Sequence, residues 1–210
     1  MKNIIIVGAG SFARELCCWL EDMLDPATMQ VCGFLDDTKA PASILNEHYR
    51  YPVLGPIDTY QINDNDAFII AIAEPVAKLR VAQSLQNRGA KFFNLIHPTA
   101  LVARTARLGT GAIICPFSLV SADTVLGDFI TINTHSCIGH DSVIGNGTTL
   151  SAHVNIPGGV IVGEGVFFGS SAAVLPRLSI GSGATVGAGA TVMRKVAADQ
   201  TVYTMPAKKL

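Results

Sequence analysis

The hydrophobic pattern of the second half of the chain repeats every six residues. From Val102 to Val192, every sixth position is aliphatic or aromatic, sixteen positions in succession. The next residue is glycine in eight of these sixteen units, and the fourth residue after the apolar one is often small, as in Ala112 and Ser136. A six-residue period is typical of a parallel β-helix, in which each coil has three short strands and three turns. We therefore expect about five coils of eighteen residues, with the apolar position inside.

The first half of the chain alternates strand and helix signals instead. Continuous apolar runs predict strands buried on both faces of a parallel sheet. The predicted strands are 3–7, 31–35, 51–54, 67–73 and 91–95. Helices are predicted after the first strand and over 75–88, where Gly89 would end the second one. This is an α/β unit of Rossmann type, half the size of a full dinucleotide fold. His97-Pro98 marks the change of pattern, which divides the chain into domains 1–96 and 97–210.

Composition narrows the possible functions. The formal net charge is −1 and no run of lysine or arginine occurs, which argues against a nucleic-acid or anionic-membrane partner. The apolar run 67–73 is far too short to span a bilayer. The five cysteines are odd in number and, like the histidines, lack metal-ligand spacing, so we expect free thiols, no metal site and a cytoplasmic protein.

A glycine-containing loop joins the first strand to the first helix. Gly8-x-Gly10-x-x-Ala13 has the context in which backbone N–H groups hold phosphates at a helix N-terminus. Taken alone, the loop suggests NAD, with Asp36 or Asp37 on a ribose. The half-size domain and a β-helix without hydride chemistry argue for another nucleotide, and the glycines alone could serve only a tight turn.

The chain resembles, over its whole length, the sialic-acid O-acetyltransferase-like family of sugar acyltransferases. Within that family it is most similar to the N-acetyltransferases of nucleotide-linked 4-amino sugars, such as the one in bacillosamine synthesis. The motifs that carry the resemblance are Ile5-Ile6-Val7-Gly8-Ala9-Gly10, Ala13-Arg14-Glu15, Gly33-Phe34-Leu35-Asp36-Asp37, Ile96-His97-Pro98, Ile132-Asn133-Thr134, Ile138-Gly139-His140-Asp141-Ser142-Val143-Ile144-Gly145, Val174-Leu175-Pro176 and Pro206-Ala207-Lys208. The resemblance implies a left-handed parallel β-helix and a homotrimer with active sites between adjacent β-helices.

The resemblance also implies that His140 is the general base and that Asp141 supports it. His140 lies two places after the inward Ile138, so it should project from the core, where neutral imidazole can accept a proton. By position alone, an ordinary surface histidine near a turn is the more frequent case. Adjacent residues of a strand face opposite ways, so a His140–Asp141 contact requires a turn at this point. His135 and His153 also project outward, and either could line the acceptor pocket.

The remaining site residues follow from the same resemblance. Acetyl-CoA is the implied acyl donor, and the N-terminal domain would hold the nucleotide of the sugar. The residues expected to bind the nucleotide sugar are Gly8, Ala9, Gly10, Ser11, Asp36, Asp37, Asn133, Thr134 and His135. Those expected to bind acetyl-CoA are Thr149, Gly158, Gly159, Ser170, Gly187, Ala188, Pro206 and Lys208. The backbone near Gly158-Gly159 would donate a hydrogen bond to the thioester carbonyl.

Two departures from the family pattern leave alternatives open. Relatives of the bacillosamine branch carry a second histidine nine residues after the base, where this chain has Thr149, and their Gly-x-Pro tail is Thr204-Met205-Pro206 here. The favoured function is N-acetylation of a nucleotide-linked amino sugar. The alternatives are O-acetylation of sialic acid or another glycan hydroxyl, and a β-helix scaffold without enzymatic activity.

Overall fold

The computed structural model describes residues 1–40 and 48–205. It divides into two compact units, Met1–Leu95 and Ile96–Leu210. No helix in the described part of the chain is long and apolar enough to cross a membrane. The five cysteines, all of which lie in that part, form no disulfide.

The first unit is built on one four-stranded parallel sheet with strand order β3-β2-β1-β4. Its strands are β1 (Lys2–Val7), β2 (Met29–Leu35), β3 (Val53–Gly55) and β4 (Asp66–Ile70). Its helices are α1 (Ser11–Met23) and α2 (Pro75–Asn87). The apolar residues of β1 and β4 are fully buried, as continuous apolar runs predict for central strands.

A side-chain cap sets the start of the second helix. Glu74 caps α2, because its carboxylate accepts hydrogen bonds from the N–H groups of Val76 and Ala77 at 2.9 and 2.6 Å. The strand predicted over 91–95 was wrong in extent. Phe92 forms a single bridge to Phe68 on the edge of β4 that β1 leaves free, and Leu95 already belongs to the strand β5 (Leu95–Ile96).

The second unit is the predicted parallel β-helix. After β5 (Leu95–Ile96), which begins the seven-stranded sheet, two-residue strands recur at six-residue intervals up to β21. They are β6 (Leu101–Val102), β7 (Arg107–Leu108), β8 (Ile113–Ile114), β9 (Leu119–Val120), β10 (Val125–Leu126), β11 (Thr131–Ile132), β12 (Cys137–Ile138), β13 (Val143–Ile144), β14 (Thr149–Leu150), β15 (Asn155–Ile156), β16 (Ile161–Val162), β17 (Phe167–Phe168), β18 (Ala173–Val174), β19 (Ser179–Ile180), β20 (Thr185–Val186), β21 (Thr191–Val192) and β22 (Thr201–Val202). They form sheets of seven, six and five strands. Strands up to β21 pair with partners eighteen residues away, whereas β22 pairs with β20 at a separation of sixteen.

The core of the β-helix consists of the second residue of each strand. Ile138, Leu150 and Phe168 are fully buried, as the six-residue period predicts. The small residues four places later are also inside. Where these are hydroxyl residues, they bind turn carbonyls: Ser136 donates to Ser151 and Ser142 to Pro157, at 2.8 and 3.0 Å. These bonds satisfy polar groups that would be costly to bury alone.

Each coil turns at three corners, where one residue adopts the left-handed conformation with φ near +60°. Residues at equivalent corners lie eighteen residues apart and form columns. The first corner, between the seven- and six-stranded sheets, carries Phe117, His135, His153, Ser171 and Gly189. The second, between the six- and five-stranded sheets, carries Asp123, Asp141, Gly159 and Arg177. The third carries Gly111, Phe129, Gly147, Gly165, Gly183 and, sixteen residues after Gly183, Asp199.

Candidate active site

His140 and Asp141 lie at the second corner, between β12 and β13. The His140 Nδ1 atom is 2.7 Å from Asp141 Oδ2, and the two side chains are 70% and 67% exposed. Asp141 has a φ of +59°, which supplies the turn that a contact between adjacent residues requires. Because a carboxylate only accepts hydrogen bonds, the proton of the neutral ring lies on Nδ1 and the Nε2 lone pair is left for another proton.

The His140 ring rests against Gly158, one coil further along. A Cβ atom on Gly158 would lie 2.7 Å from both Cε1 and Nε2 of His140, so a larger residue would displace the ring. Glycine at this position therefore leaves room for the imidazole in the observed orientation.

The two glycines predicted near the thioester carbonyl differ in their hydrogen bonding. The Gly159 N–H donates to the His140 carbonyl at 2.8 Å, so it is already engaged. The Gly158 N–H has no partner among residues 1–40 and 48–205, while its carbonyl accepts from the Arg177 N–H at 3.2 Å. Of the pair, Gly158 has the available backbone donor.

The first corner holds the other predicted acceptor residues. The His135 and His153 rings stack with centroids 4.9 Å apart and an interplanar angle of 17°, and Phe117 lies 5.1 Å beyond His135. Asn133 precedes this turn and accepts from the Thr134 N–H through Oδ1 at 2.7 Å. Within one chain, these residues lie on the opposite edge of the six-stranded sheet from His140.

The predicted acetyl-CoA residues are divided among several places. Ser170 and the Gly187-Ala188 turn lie at the first corner, where Gly169 packs closely against the Ala188 backbone. Thr149 lies on β14 of the seven-stranded sheet and is 3% exposed, so it is not at either corner. Pro206 and Lys208 lie outside the described residues.

In the first unit, the loop of Gly8, Ala9, Gly10 and Ser11 connects β1 to α1. The Ala9 N–H donates to Asp36 Oδ2 at 2.8 Å, and Asp36 Oδ1 accepts from the Thr38 N–H at 2.8 Å. Burial opposes ionisation of Asp36, but the hydrogen bonds from Thr38 and Ala9 outweigh it and lower the pKa of this carboxyl.

Asp37 is engaged in the same way, because its carboxylate accepts from the Ile57 N–H at 2.8 Å. The two aspartates thus bind their own chain, and a contact of either with the nucleotide stays a prediction. At the start of α1, Gly10 is the N-cap and provides no side-chain hydrogen bond, so the first N–H groups of the helix are not capped by it.

Two charged residues of the second corner, Asp123 and Arg177, are absent from the predicted set. Arg177 follows Asp141 by two coils, and the eighteen-residue register is the signal that identifies it. Within the two described ranges, no group of three or more His, Cys, Asp or Glu residues is arranged to hold a metal ion.

A parallel β-helix with an exposed, carboxylate-bound imidazole at one corner, preceded by a small α/β domain, is the arrangement that the resemblance to hexapeptide-repeat sugar acyltransferases predicts. Comparison with known proteins agrees with this class. Residues 3–85 match the PglD N-terminal domain family. A curated relative, the UDP-N-acetylbacillosamine N-acetyltransferase of Bacillus subtilis (strain 168), is 29% identical over 114 residues, which is 54% of this chain. The match spans 51% of that enzyme, about half of its length.

Solved structures match the chain from end to end. WeeI from Acinetobacter baumannii AYE is 27% identical with a TM-score of 0.86, and the match covers 100% of both chains. PerB from Caulobacter crescentus, solved in complex with CoA and GDP-perosamine, is 27% identical with a TM-score of 0.85 over 99% of this chain and 97% of its own. These findings confirm the fold class and the resemblance to sugar acetyltransferases that the sequence motifs indicate.

Proposed function

We propose that this protein transfers the acetyl group of acetyl-CoA to the amino group of a nucleotide-linked amino sugar of the UDP-4-amino-4,6-dideoxy type. The observation that carries the proposal is the His140 imidazole, which is oriented by Asp141, rests against Gly158 and is open to solvent. A base with a fixed tautomer beside an available backbone N–H has the two groups that acyl transfer to an amine needs.

The reaction proceeds by direct attack. The sugar amine attacks the thioester carbonyl and forms the N–C bond, while Nε2 of His140 takes a proton from the amine. Asp141 holds the ring through Nδ1 and stabilises the imidazolium that results. When the C–S bond breaks, His140 returns the proton to the CoA thiolate and becomes neutral again.

The tetrahedral oxyanion needs a hydrogen-bond donor during this reaction. The Gly158 N–H is one coil from His140 and is not engaged elsewhere in the described chain, so we assign it this role. One such donor typically contributes on the order of a hundredfold or more to kcat. The Gly159 N–H cannot serve at the same time as it binds the His140 carbonyl.

The assembly that we propose is a homotrimer with active sites between β-helices. The His140 corner and the corner of Asn133, Thr134 and His135 are on opposite edges of one sheet. Both could serve one active site if they came from neighbouring subunits. An exposed apolar row on the five-stranded sheet, Val125, Val143 and Ile161, supports a subunit contact.

The acceptor class is supported by the relatives. One is named for a UDP-linked amino sugar and another was solved with GDP-perosamine and CoA. We assign the nucleotide to the loop of Gly8, Ala9, Gly10 and Ser11, because it opens α1 where anions bind. The cysteines form no disulfide, which supports a cytoplasmic location.

The test is steady-state kinetics of His140→Ala with acetyl-CoA and a UDP-linked 4-amino sugar. We expect kcat to fall by about two orders of magnitude or more, because the general base is lost, while binding of CoA in calorimetry stays unchanged. His48→Ala, which removes an exposed histidine of the first unit, is the matched control and should keep full activity. Near-normal turnover by His140→Ala would refute the assignment. Acetylation of a glycan hydroxyl but not of the amine would favour an O-acetyltransferase instead.

A further inference from the structure

Arg177 is the cationic residue of the second corner. It has a φ of +61°, a conformation that favours glycine, and it lies two coils beyond Asp141. Its N–H donates to the carbonyl of Gly158, the residue against which the His140 ring rests. Arg177 is therefore anchored to the reacting corner through its backbone.

The Arg177 side chain runs over Gly159, which lies between it and Asp141 in the column. A Cβ atom on Gly159 would be 3.2 Å from Cγ of Arg177, tighter than most such contacts. Glycine at this position thus leaves space for the arginine stem on the same surface as His140.

The guanidinium has no protein partner in the described chain. Arg177 is exposed, no carboxylate of residues 1–40 or 48–205 lies within 4.0 Å of it, and the Asp141 carboxylate is held by His140. A non-glycine residue in the left-handed conformation is strained. Arg177 therefore combines backbone strain with an unpaired positive charge on the surface of the proposed active site. Both features are expected of a group that binds an anion.

We propose that Arg177 binds the phosphate groups of the acyl donor. This inference rests on the proposed function, in which the thioester lies at Gly158. At the spacing of adjacent strands, two coils place Arg177 about 10 Å along the axis from Asp141. The pantetheine arm separates the CoA thiol from its phosphates. With the thioester at Gly158, the axial displacement and the length of the arginine side chain would together place the guanidinium near those phosphates. A guanidinium recognises phosphate through paired, charge-assisted hydrogen bonds.

A nucleotide sugar also carries phosphates, so the phosphates bound by Arg177 could belong to the acyl donor or to the acceptor. Arg177 lies beyond Gly158 toward the C-terminus, the direction in which Ser170 and Gly187, the predicted acetyl-CoA residues, also lie. We therefore assign it to the donor and not to the acceptor.

The experiment compares two donors that share the thioester and the pantetheine arm: acetyl-CoA, and acetyl-pantetheine, which lacks the phosphates. For Arg177→Ala we expect the KM for acetyl-CoA to rise about tenfold or more. We expect three constants of the variant to stay within about twofold of the wild type: kcat, the KM for acetyl-pantetheine and the KM for the nucleotide sugar. The dependence of its activity on pH should be unchanged. Arg177→Lys, which keeps the charge but not the paired geometry, should recover part of the loss.

The control is Arg80→Ala, which removes an exposed arginine of α2 and the same charge. Equal losses with both donors, or a shifted pH profile, would overturn the proposal in favour of an effect through Asp141 and His140. A rise confined to the KM of the nucleotide sugar would assign the arginine to the acceptor, and no change would mean a solvated side chain.

Calorimetry separates this proposal from the proposed function, because it needs no acceptor. CoA and pantetheine are titrated into the wild type and Arg177→Ala. If the wild type binds CoA and the variant loses that affinity but not the affinity for pantetheine, the phosphate assignment holds even where no acetyl transfer to an amino sugar is detected. Equal CoA affinity in both proteins overturns it.

Discussion

The second and third corners of the β-helix share a left-handed backbone but carry different side chains. The third corner has glycine at four of its six left-handed positions, and of the other two, Phe129 packs its ring over Gly111 and Asp199 lies over Gly183. The second corner carries Asp123, Asp141 and Arg177, with one glycine among them. Glycine adopts this conformation without steric cost, whereas other residues do not. Side chains at the second corner are therefore retained against a local preference, and that corner is where His140 lies.

The third corner shows what a structural edge of the same helix needs. Polar side chains beside it bind the backbone of the preceding coil, as when Asp128 Oδ1 accepts from the Thr110 N–H at 2.8 Å and Asn146 Oδ1 accepts from the Asp128 N–H at 2.9 Å. These hydrogen bonds stay within the column. At the second corner, the His140 imidazole and Arg177 are exposed instead, which is compatible with the proposed site.

After the loss of His140 itself, the largest expected effect comes from filling the space beneath the imidazole. Gly158→Ala places a Cβ atom where the His140 ring lies, so the ring must move. A displacement of about 1 Å of a catalytic group can lower the rate about a hundredfold, and we expect kcat to fall by roughly that factor in steady-state assays. Gly147→Ala at the third corner is the control and should leave kcat within about twofold. Normal kcat for Gly158→Ala would contradict the role of the ring's position.

The next largest effect on kcat is expected at Asp141, the hydrogen-bond partner of the imidazole. Asp141→Asn removes the negative charge and can present an N–H to Nδ1, which favours the wrong tautomer. We expect kcat to fall at least about tenfold while the KM for acetyl-CoA stays nearly constant. Asp123→Asn, one coil earlier in the same column, is matched in residue type and backbone conformation. Equal losses of activity in Asp141→Asn and Asp123→Asn would contradict the role of Asp141 as the partner of His140.

The two contacts of the imidazole, with Asp141 and with Gly158, differ in how far the sequence could predict them. The six-residue period placed the core residues correctly, because an inward position must be apolar in every coil. It also placed His140 outside the core and required the turn that Asp141 provides. The eighteen-residue coil that follows from this period places Gly158 and Arg177 on the same edge as His140 and Asp141. The clearance of the imidazole over Gly158 depends on side-chain contacts between coils, which the period does not give.

The glycine loop shows a second limit of prediction. A strand ending in Asp36-Asp37 after a glycine loop predicts a ribose contact, but both carboxylates bind backbone N–H groups of their own unit. Residue type alone does not say which donor a carboxylate will meet, because the Ala9 N–H comes within reach only through the parallel pairing of β1 and β2. The loop's own assignment to a nucleotide stays a prediction.

The smallest expected effect is on stability, and it has opposite signs at the two corners. Gly147, with a φ of +67°, tolerates no Cβ without strain, so Gly147→Ala should lower the free energy of unfolding by about 1–2 kcal/mol. Asp141→Gly relieves the strain at +59° but adds freedom to the unfolded chain, so stability should rise by a few tenths to about 1 kcal/mol. Its activity should fall as in Asp141→Asn. Thermal unfolding followed by circular dichroism measures both variants against the wild type. If Asp141→Gly is less stable as well as less active, the Asp141 side chain supports the fold, and the contrast between a structural and a functional corner is lost.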